Sequence, residues 1–415
     1  MTALPADLTS VVRRNTILLA AFLAFNWAVL QLTMSVASIT MERLTGIPEL
    51  VGIAPAVAIL ALGAATIPAG RYMDRRGRVP GIALGFLAAL AGVVVTYVAV
   101  LLGQPILFLV GLALLGGGAG VVNLARTGAA DMYPPERRAA GVGLVLVGAA
   151  VGALAAPFLF GPLLRSGGGD ALLLPWLVAA ALLALGAGLT RLIRLDPLAI
   201  ARAMRTPAQQ AAGAAEARPL AEIFAQPSAR AAAVAIIGAQ IVMASLMALA
   251  GVEMHHRGHE LTEISFALAA HFVGMFGLSP VAGRIVDRIG RQRSLLLGLG
   301  LLGLSAASLP YAPTVLALSA AMLGLGVGWN VAFVAGTVLL ADATAPNERG
   351  RALGAVDLAN AVASASGAAL LGALLGAIGF TAVVAVALVI LAGPFVFVLG
   401  GLRRLRRPAA EIGRP

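Results

Sequence analysis

Apolar residues in this chain come in long uninterrupted runs rather than alternating with polar residues at a helical or strand period. About 20 mostly apolar residues suffice for a helix to cross the hydrocarbon core of a bilayer. Twelve such runs are predicted, at 17–40, 50–70, 80–102, 106–130, 140–164, 172–193, 229–251, 264–283, 294–311, 314–340, 352–376 and 380–402. Helix is the expected form, because a spanning segment must satisfy its own backbone N–H and C=O groups. The last two runs are separated only by a short break around Gly379. A polar stretch at 195–227, rich in Ala, Pro, Gln, Glu and Arg, parts the sixth run from the seventh. The expected organisation is therefore an all-α membrane protein: an N-terminal six-helix bundle at 1–194, a cytoplasmic connector at 195–227 and a C-terminal six-helix bundle at 228–415.

Composition agrees with this pattern. Hydrophobic residues make up 60% of the chain and charged residues 11%, against roughly 25% charged in soluble domains. The formal net charge is +11, and all 29 basic residues are arginines. A basic excess can signal nucleic acid, but these arginines sit in short breaks between apolar runs, so no nucleic-acid partner is expected. They crowd one set of alternate loops, and only Arg43, Arg165 and Arg257 fall in the other set. The positive-inside rule then puts both termini in the cytoplasm, in a bacterial-type inner (plasma) membrane. Arg13 and Arg14 precede the first run, which reads as a retained helix rather than a cleaved signal. There are no cysteines, which excludes disulfides and thiolate metal sites.

The chain repeats itself. Gly70–Arg78 reads GRYMDRRGR after the second run, and Gly283–Arg291 reads GRIVDRIGR after the eighth. A second pair follows the fourth and tenth runs: Asp131 leads into PPERR at Pro134–Arg138, and Asp342 into PNERGR at Pro346–Arg351. Six spans per repeat is an even number, so the halves share one topology and are parallel repeats about an axis along the membrane normal.

These two loops, at matched places in a twelve-span chain, resemble the signature of the major facilitator superfamily. The resemblance covers essentially the whole chain and implies two pseudo-symmetric six-helix bundles that rock in alternating access. It implies gating roles for Gly70, Asp74, Arg75, Gly77, Arg78, Asp131, Glu136 and Arg137, and for Gly283, Asp287, Arg288, Gly290, Arg291, Asp342, Glu348 and Arg349. By the same resemblance, Asp74 would cap helix eleven, where the dipole is positive, Arg78 would pair with Asp131, and the loop charges would hold the outward-open state. The alternative reading of these charges is a solvated, basic loop surface.

Ionisable groups within a membrane are costly and mark candidate pathways. Arg126, with Asn123 one turn before it, either faces the central cavity or pairs with Asp131 five residues on. His271, in the eighth run, is a candidate proton carrier, with an interhelical hydrogen bond as its alternative. Asp357, about four residues into the eleventh run, is a second proton-coupling candidate or a shallow gating group. Glu253, His255, His256 and His259 surround Arg257 and read as a polar outer loop, so no metal site is expected. Uncharged polar and adaptable residues recur at helical spacing: Phe22, Asn26 and Thr33, with Gln31 nearby; Gln240, Met243 and Met247; and Asn330, Phe333 and Thr337, beside Trp329. In the resembled family, helices one, four, seven and ten line the cavity. Amides, thioethers and aromatics there suit a neutral or amphipathic small organic cargo, methionine adapting to varied shapes. Helix packing alone is the competing explanation for each residue.

No phosphate-binding G-x-x-x-x-G-K-[ST] motif is present, so a gradient is the expected energy source and no cofactor is expected. Gly148, Gly152 and Pro157 loosely resemble the helix-five pattern of the family's exporters, with Ala156 where that pattern has glycine. The expected function is secondary active transport of a small organic molecule, with proton-coupled export as the first expectation and the protein acting as a monomer. Uptake or facilitated diffusion of a metabolite is the alternative, and a non-transporting sensor or scaffold is a further one. No enzyme motif such as H-E-x-x-H or G-x-S-x-G occurs.

Overall fold

The computed structural model describes residues 6–47, 50, 53–165, 173–204 and 217–406, and the helices below belong to these. The first half contains α1 (Ala6–Thr45), α2 (Ile53–Arg76), α3 (Arg78–Leu102), α4 (Pro105–Asn123), α5 (Ala125–Met132), α6 (Arg138–Arg165) and α7 (Leu174–Leu189). Two short connector helices follow, α8 (Pro197–Ala203) and α9 (Leu220–Ala225). The expected connector thus keeps helical turns at its ends, while residues 205–216 fall outside the described residues. The second half contains α10 (Pro227–His256), α11 (Leu261–Phe272), α12 (Ser279–Ile289), α13 (Arg291–Ser308), α14 (Val315–Asp342) and α15 (Pro346–Arg406).

Eleven helices among the described residues are long and apolar enough to cross a membrane. The twelfth span is bent: Glu263–Gly277 and Ser279–Ile289 meet at 44°, through the π-helical turn Val273–Gly277. The long α15 is two spans, broken at Gly379 (φ 75°) where the sequence places its softest boundary. Leucine, valine and phenylalanine side chains on the outer faces, such as Leu304 and Phe158, are exposed because lipid is their solvent.

One detail of the turns positions the functional loops. A single residue, Gly77, separates α2 from α3, and Gly290 alone separates α12 from α13. Their φ values of 112° and 89° are costly for any residue with a Cβ. Each reversal leaves an aspartate before the glycine and an arginine after it on one side of the turn. On helix six, Gly148 and Gly152 lie so close to α1 that a Cβ would meet the carbonyls of Ala20 and Ala24. The expected pattern there is therefore a packing seam.

Candidate functional site

The arginine-rich face is closed by a network that repeats across the two halves. Asp74, in the last turn of α2, accepts hydrogen bonds from the backbone N–H groups of Gly350 (2.8 Å) and Arg351 (2.9 Å). Those donors are the fifth and sixth residues of α15, near the end of the helix where the dipole is positive. Asp287 does the same for α6, accepting from Ala139 (3.2 Å) and Ala140 (2.9 Å). Each half therefore caps a helix of the other.

Arg78 is fully buried and spends its guanidinium on three partners. Nε donates to Asp131 (2.7 Å), Nη1 to Asp74 (2.6 Å) and Nη2 to the carbonyl of Pro346 (2.8 Å). Arg291 mirrors it, donating to Asp342 (3.1 Å) and to the carbonyl of Pro135. Asp131 and Asp342 also pair across the halves. Arg349 donates to Asp131 at 2.6 Å and Arg138 donates to Asp342. The Nε of each of these arginines donates at 2.9 Å to its own half, Arg349 to Ala341 and Arg138 to Ala130. Backbones meet here too: a Cβ on Gly70 would lie 2.2 Å from the Gly350 carbonyl oxygen, and one on Gly283 2.4 Å from that of Ala139. Buried charges are tolerable only when paired and hydrogen-bonded in this way.

Four residues of the expected gating set lie outside this network of hydrogen bonds. Arg75, Arg288, Glu136 and Arg137 are exposed. The inward arginine of the PPERR loop is Arg138, because Pro135–Arg137 forms a 3-10 turn and α6 begins only at Arg138. The symmetry also breaks at Glu348. Its carboxylate accepts from Arg218 through N (3.0 Å), Nε (3.0 Å) and Nη2 (2.7 Å), and from Ala345 N (3.0 Å). Hydrogen bonding to Glu348 raises the Arg218 guanidinium further above its already high pKa. At the connector's other end, Asp196 accepts from the N–H groups of Arg78 (3.0 Å) and Val79 (2.9 Å), capping α3. Both ends of the connector thus touch the network.

The second cluster lies deeper. The fourth span breaks at Leu124 (φ −69°, ψ −3°) between α4 and α5, leaving carbonyls for other donors. Arg126 Nη1 donates to the carbonyl of Asn123 (3.1 Å), and its Nη2 donates to Asp357 at 2.5 Å. The expected alternative pairing with Asp131 is incorrect, because Asp131 is already held by Arg78 and Arg349. Asp357 is also deeper than its sequence position suggests. The PNERGR segment opens α15 rather than forming a loop, so Asp357 is eleven residues in, about 16 Å at 1.5 Å per residue.

From this ion pair, contacts run round the centre. Arg126 lies 5.1 Å over the Phe333 ring, and Phe333 stacks on Trp329 (4.6 Å, 14° between planes). Trp329 Nε1 donates to Gln240 (2.8 Å), and Gln240 donates to Ser364 (2.9 Å). Ser364 lies two turns along α15 from Asp357, with Asn360 between them on the same face. Trp27 and Phe276 extend the aromatic patch, at 4.8 Å from each other and with Phe276 5.7 Å from Trp329. On the first half, Asn26 donates to Asn123 (3.0 Å) and to the carbonyl of Ala119 (3.1 Å). Gln31 and Met247 are half-buried on α1 and α10.

Other expected cavity residues lie elsewhere. Phe22 packs edge-on against Phe86 in the core of the first bundle, 5.6 Å away. Thr33 donates to its own helix at Val29. Asn330 is bound to the bent eighth span, donating to the Gly274 carbonyl (3.1 Å) and accepting from Ser279 (3.0 Å). Met243 and Thr337 are buried between helices. His271 is fully buried and its Nδ1 is 2.9 Å from the Met322 carbonyl, an interhelical bond away from the central ring. In the segment expected to be a polar outer loop, Glu253 pairs with Arg257 (2.8 Å) and His259 with Glu263 (3.0 Å). The side chains of His255 and His256 are outside the described residues. Arg138, Asn360 and Ser364 join these sites although the sequence patterns above do not mark them; for Asn360 and Ser364 the D-N-S spacing at i, i+3 and i+7 on an apolar helix is the signal that sequence offers.

Two duplicated bundles, cross-capped on one face and holding a polar and aromatic centre between them, define a two-bundle membrane transporter. The Major Facilitator Superfamily model matches residues 16–258 and 231–414, and the chain belongs to that family. The uncharacterized MFS-type transporter YddS of Bacillus subtilis (strain 168) is 31% identical over 359 residues, covering 84% of this chain and 81% of that protein. The riboflavin transporter RfnT of Brucella anthropi is 27% identical over 345 residues, covering 83% and 85%. The solved structure of the proton:xylose symporter XylE shares the fold, with a TM-score of 0.77 at 15% identity, covering 94% of this chain and 96% of that one.

Proposed function

We propose that this transporter carries a small organic molecule out of the cytoplasm in exchange for protons, as a monomer in a bacterial-type inner membrane with both termini cytoplasmic. The observation that carries the reading is the Arg126–Asp357 ion pair, at 2.5 Å, joining a helix of one half to a helix of the other. An ion pair this deep is costly unless it works. Protonating Asp357 removes the charge that holds Arg126 and frees the two bundles to rock. The arginine-rich network would be the cytoplasmic gate, closed in an outward-open state, with Asp74, Arg78, Asp131, Asp287, Arg291, Asp342, Arg138 and Arg349 as its working parts.

The cargo would lie among Trp27, Phe276, Trp329, Phe333 and Gln240, which favour an aromatic-bearing, neutral or amphipathic compound. The relative RfnT is a riboflavin transporter, so riboflavin heads the compounds to try. The test is flux in proteoliposomes with labelled compounds and an imposed pH gradient. Acid-inside vesicles should accumulate cargo by antiport. Accumulation driven only by an acid exterior would make the protein a symporter for uptake, and flux indifferent to pH would make it a uniporter.

A further inference from the structure

Three buried polar atoms around the central ion pair have no hydrogen-bond partner among the described residues: Arg126 Nε, Asp357 Oδ2 and Asn360 Oδ1. Arg126 is 4% exposed and Asn360 9%. Unpartnered polar atoms are expensive in a protein interior, and most such groups in folded proteins are satisfied. A polar atom left over from structural bonding is one a ligand can use. Gln240 shows the contrast: its oxygen has a partner in Trp329 and its nitrogen one in Ser364.

The three atoms form a specific demand. Arg126 Nε is a donor only, and an ionised Asp357 and the Asn360 amide oxygen are acceptors. Asp357 and Asn360 are one turn apart on the same face of α15, and Arg126 is tied to Asp357. The complementary ligand edge therefore offers one acceptor and two donors. The stack of Arg126, Phe333 and Trp329 lies beside this edge, and flat π-systems are the groups that such layers favour. A sugar or an aliphatic acid offers polar groups without the flat face. A plain aromatic hydrocarbon offers the face without the edge.

We infer that the centre formed by Arg126, Asp357, Asn360, Gln240, Trp329 and Phe333 binds a planar heteroaromatic ureide, its two N–H groups on Asp357 and Asn360 and its carbonyl on Arg126. This rests on the reading of the region as the cargo site and narrows the cargo class. It also assigns Asn360 as a specificity-determining residue.

Lumazine, a bicyclic ureide, and 1,3-dimethyllumazine, which lacks both N–H donors, are the probes. Binding to the purified full-length transporter is measured by equilibrium dialysis. Lumazine should bind at least about tenfold tighter than its dimethyl form, as expected for the loss of buried hydrogen bonds. Asn360→Ala should weaken lumazine about tenfold and leave the dimethyl compound unchanged. Equal binding of the two probes to the unmodified protein would overturn the inference, even if the variant does not fold. The two readings fail separately. Proton-driven flux of other compounds without lumazine binding removes the cargo class and keeps the transporter. N–H-dependent lumazine binding without flux of any compound keeps the site and removes the transport mechanism.

Discussion

Arg349 of the second half holds Asp131 of the first at 2.6 Å, and Arg138 holds Asp342 with the halves exchanged. Asp131 is the more buried of the two acceptors, with no exposed side-chain surface against 29% for Asp342. Replacing it leaves two arginines, Arg78 and Arg349, without their shared counter-charge. Breaking a buried pair from one side costs about 3–5 kcal/mol, enough to shift a two-state equilibrium by two orders of magnitude or more. The chain has no cysteine, so Ala140→Cys gives a clean reporter on the arginine-rich face. Asp131→Asn should raise its labelling at least tenfold, whereas Asp342→Asn should do so less. Unchanged labelling in both would remove the gate.

Close backbone contact should matter as much as charge. Gly70 meets Gly350 so tightly that an added Cβ would sit 2.2 Å from a carbonyl oxygen. Gly70→Val should therefore block closure of this face and abolish transport while the protein still inserts. The same Ala140→Cys reporter should then label fully. Near-normal flux in Gly70→Val would show that the two helices separate at no cost.

The repeat predicts that Glu136 and Glu348 are equivalent, and the structure makes them unequal. Glu348 satisfies four N–H donors, three of them from Arg218, while Glu136 is exposed. Arg218 is itself 36% exposed, so solvent screening reduces the ionic part of the bond. Glu348→Ala should cost about 1–3 kcal/mol in thermal unfolding, mostly through its orphaned donors. Glu136→Ala should be within about 0.5 kcal/mol of the parent. Equal effects would mean that the connector does not rest on the second half.

His271 offers a contrast with Asp357. It is fully buried and bonded to a helix carbonyl. His271→Gln should lower thermal stability modestly and leave the pH dependence of flux in place. Loss of that dependence would make His271 the proton carrier.

The architecture was legible because its signals are redundant. Twelve apolar runs, the arginine bias and the duplicated Asp74–Arg78 and Asp287–Arg291 loops each report the same two-bundle fold. The centre was less legible. Asp357 looked shallow because a polar segment, PNERGR, begins its helix, and sequence polarity alone does not tell a loop from a helix start. For Arg126 the sequence offers both the central cavity and a local partner, Asp131, and the partner in the structure, Asp357, is 231 residues on, a separation that no local spacing reveals. Phe22, Asn330 and Thr337 share helical stripes with cavity residues, but a stripe wide enough to face a cavity also reaches the neighbouring helices. Only packing separates the two.

The most direct measurement compares the parent and Asp357→Asn in the same proteoliposomes, using riboflavin or whichever compound the flux panel shows to move. The variant keeps the shape of the carboxylate and cannot exchange its proton. It should retain measurable, slower exchange of labelled for unlabelled cargo, and should lose accumulation driven by an acid interior. Undiminished gradient-driven accumulation in Asp357→Asn would contradict the coupling role of the Arg126–Asp357 pair.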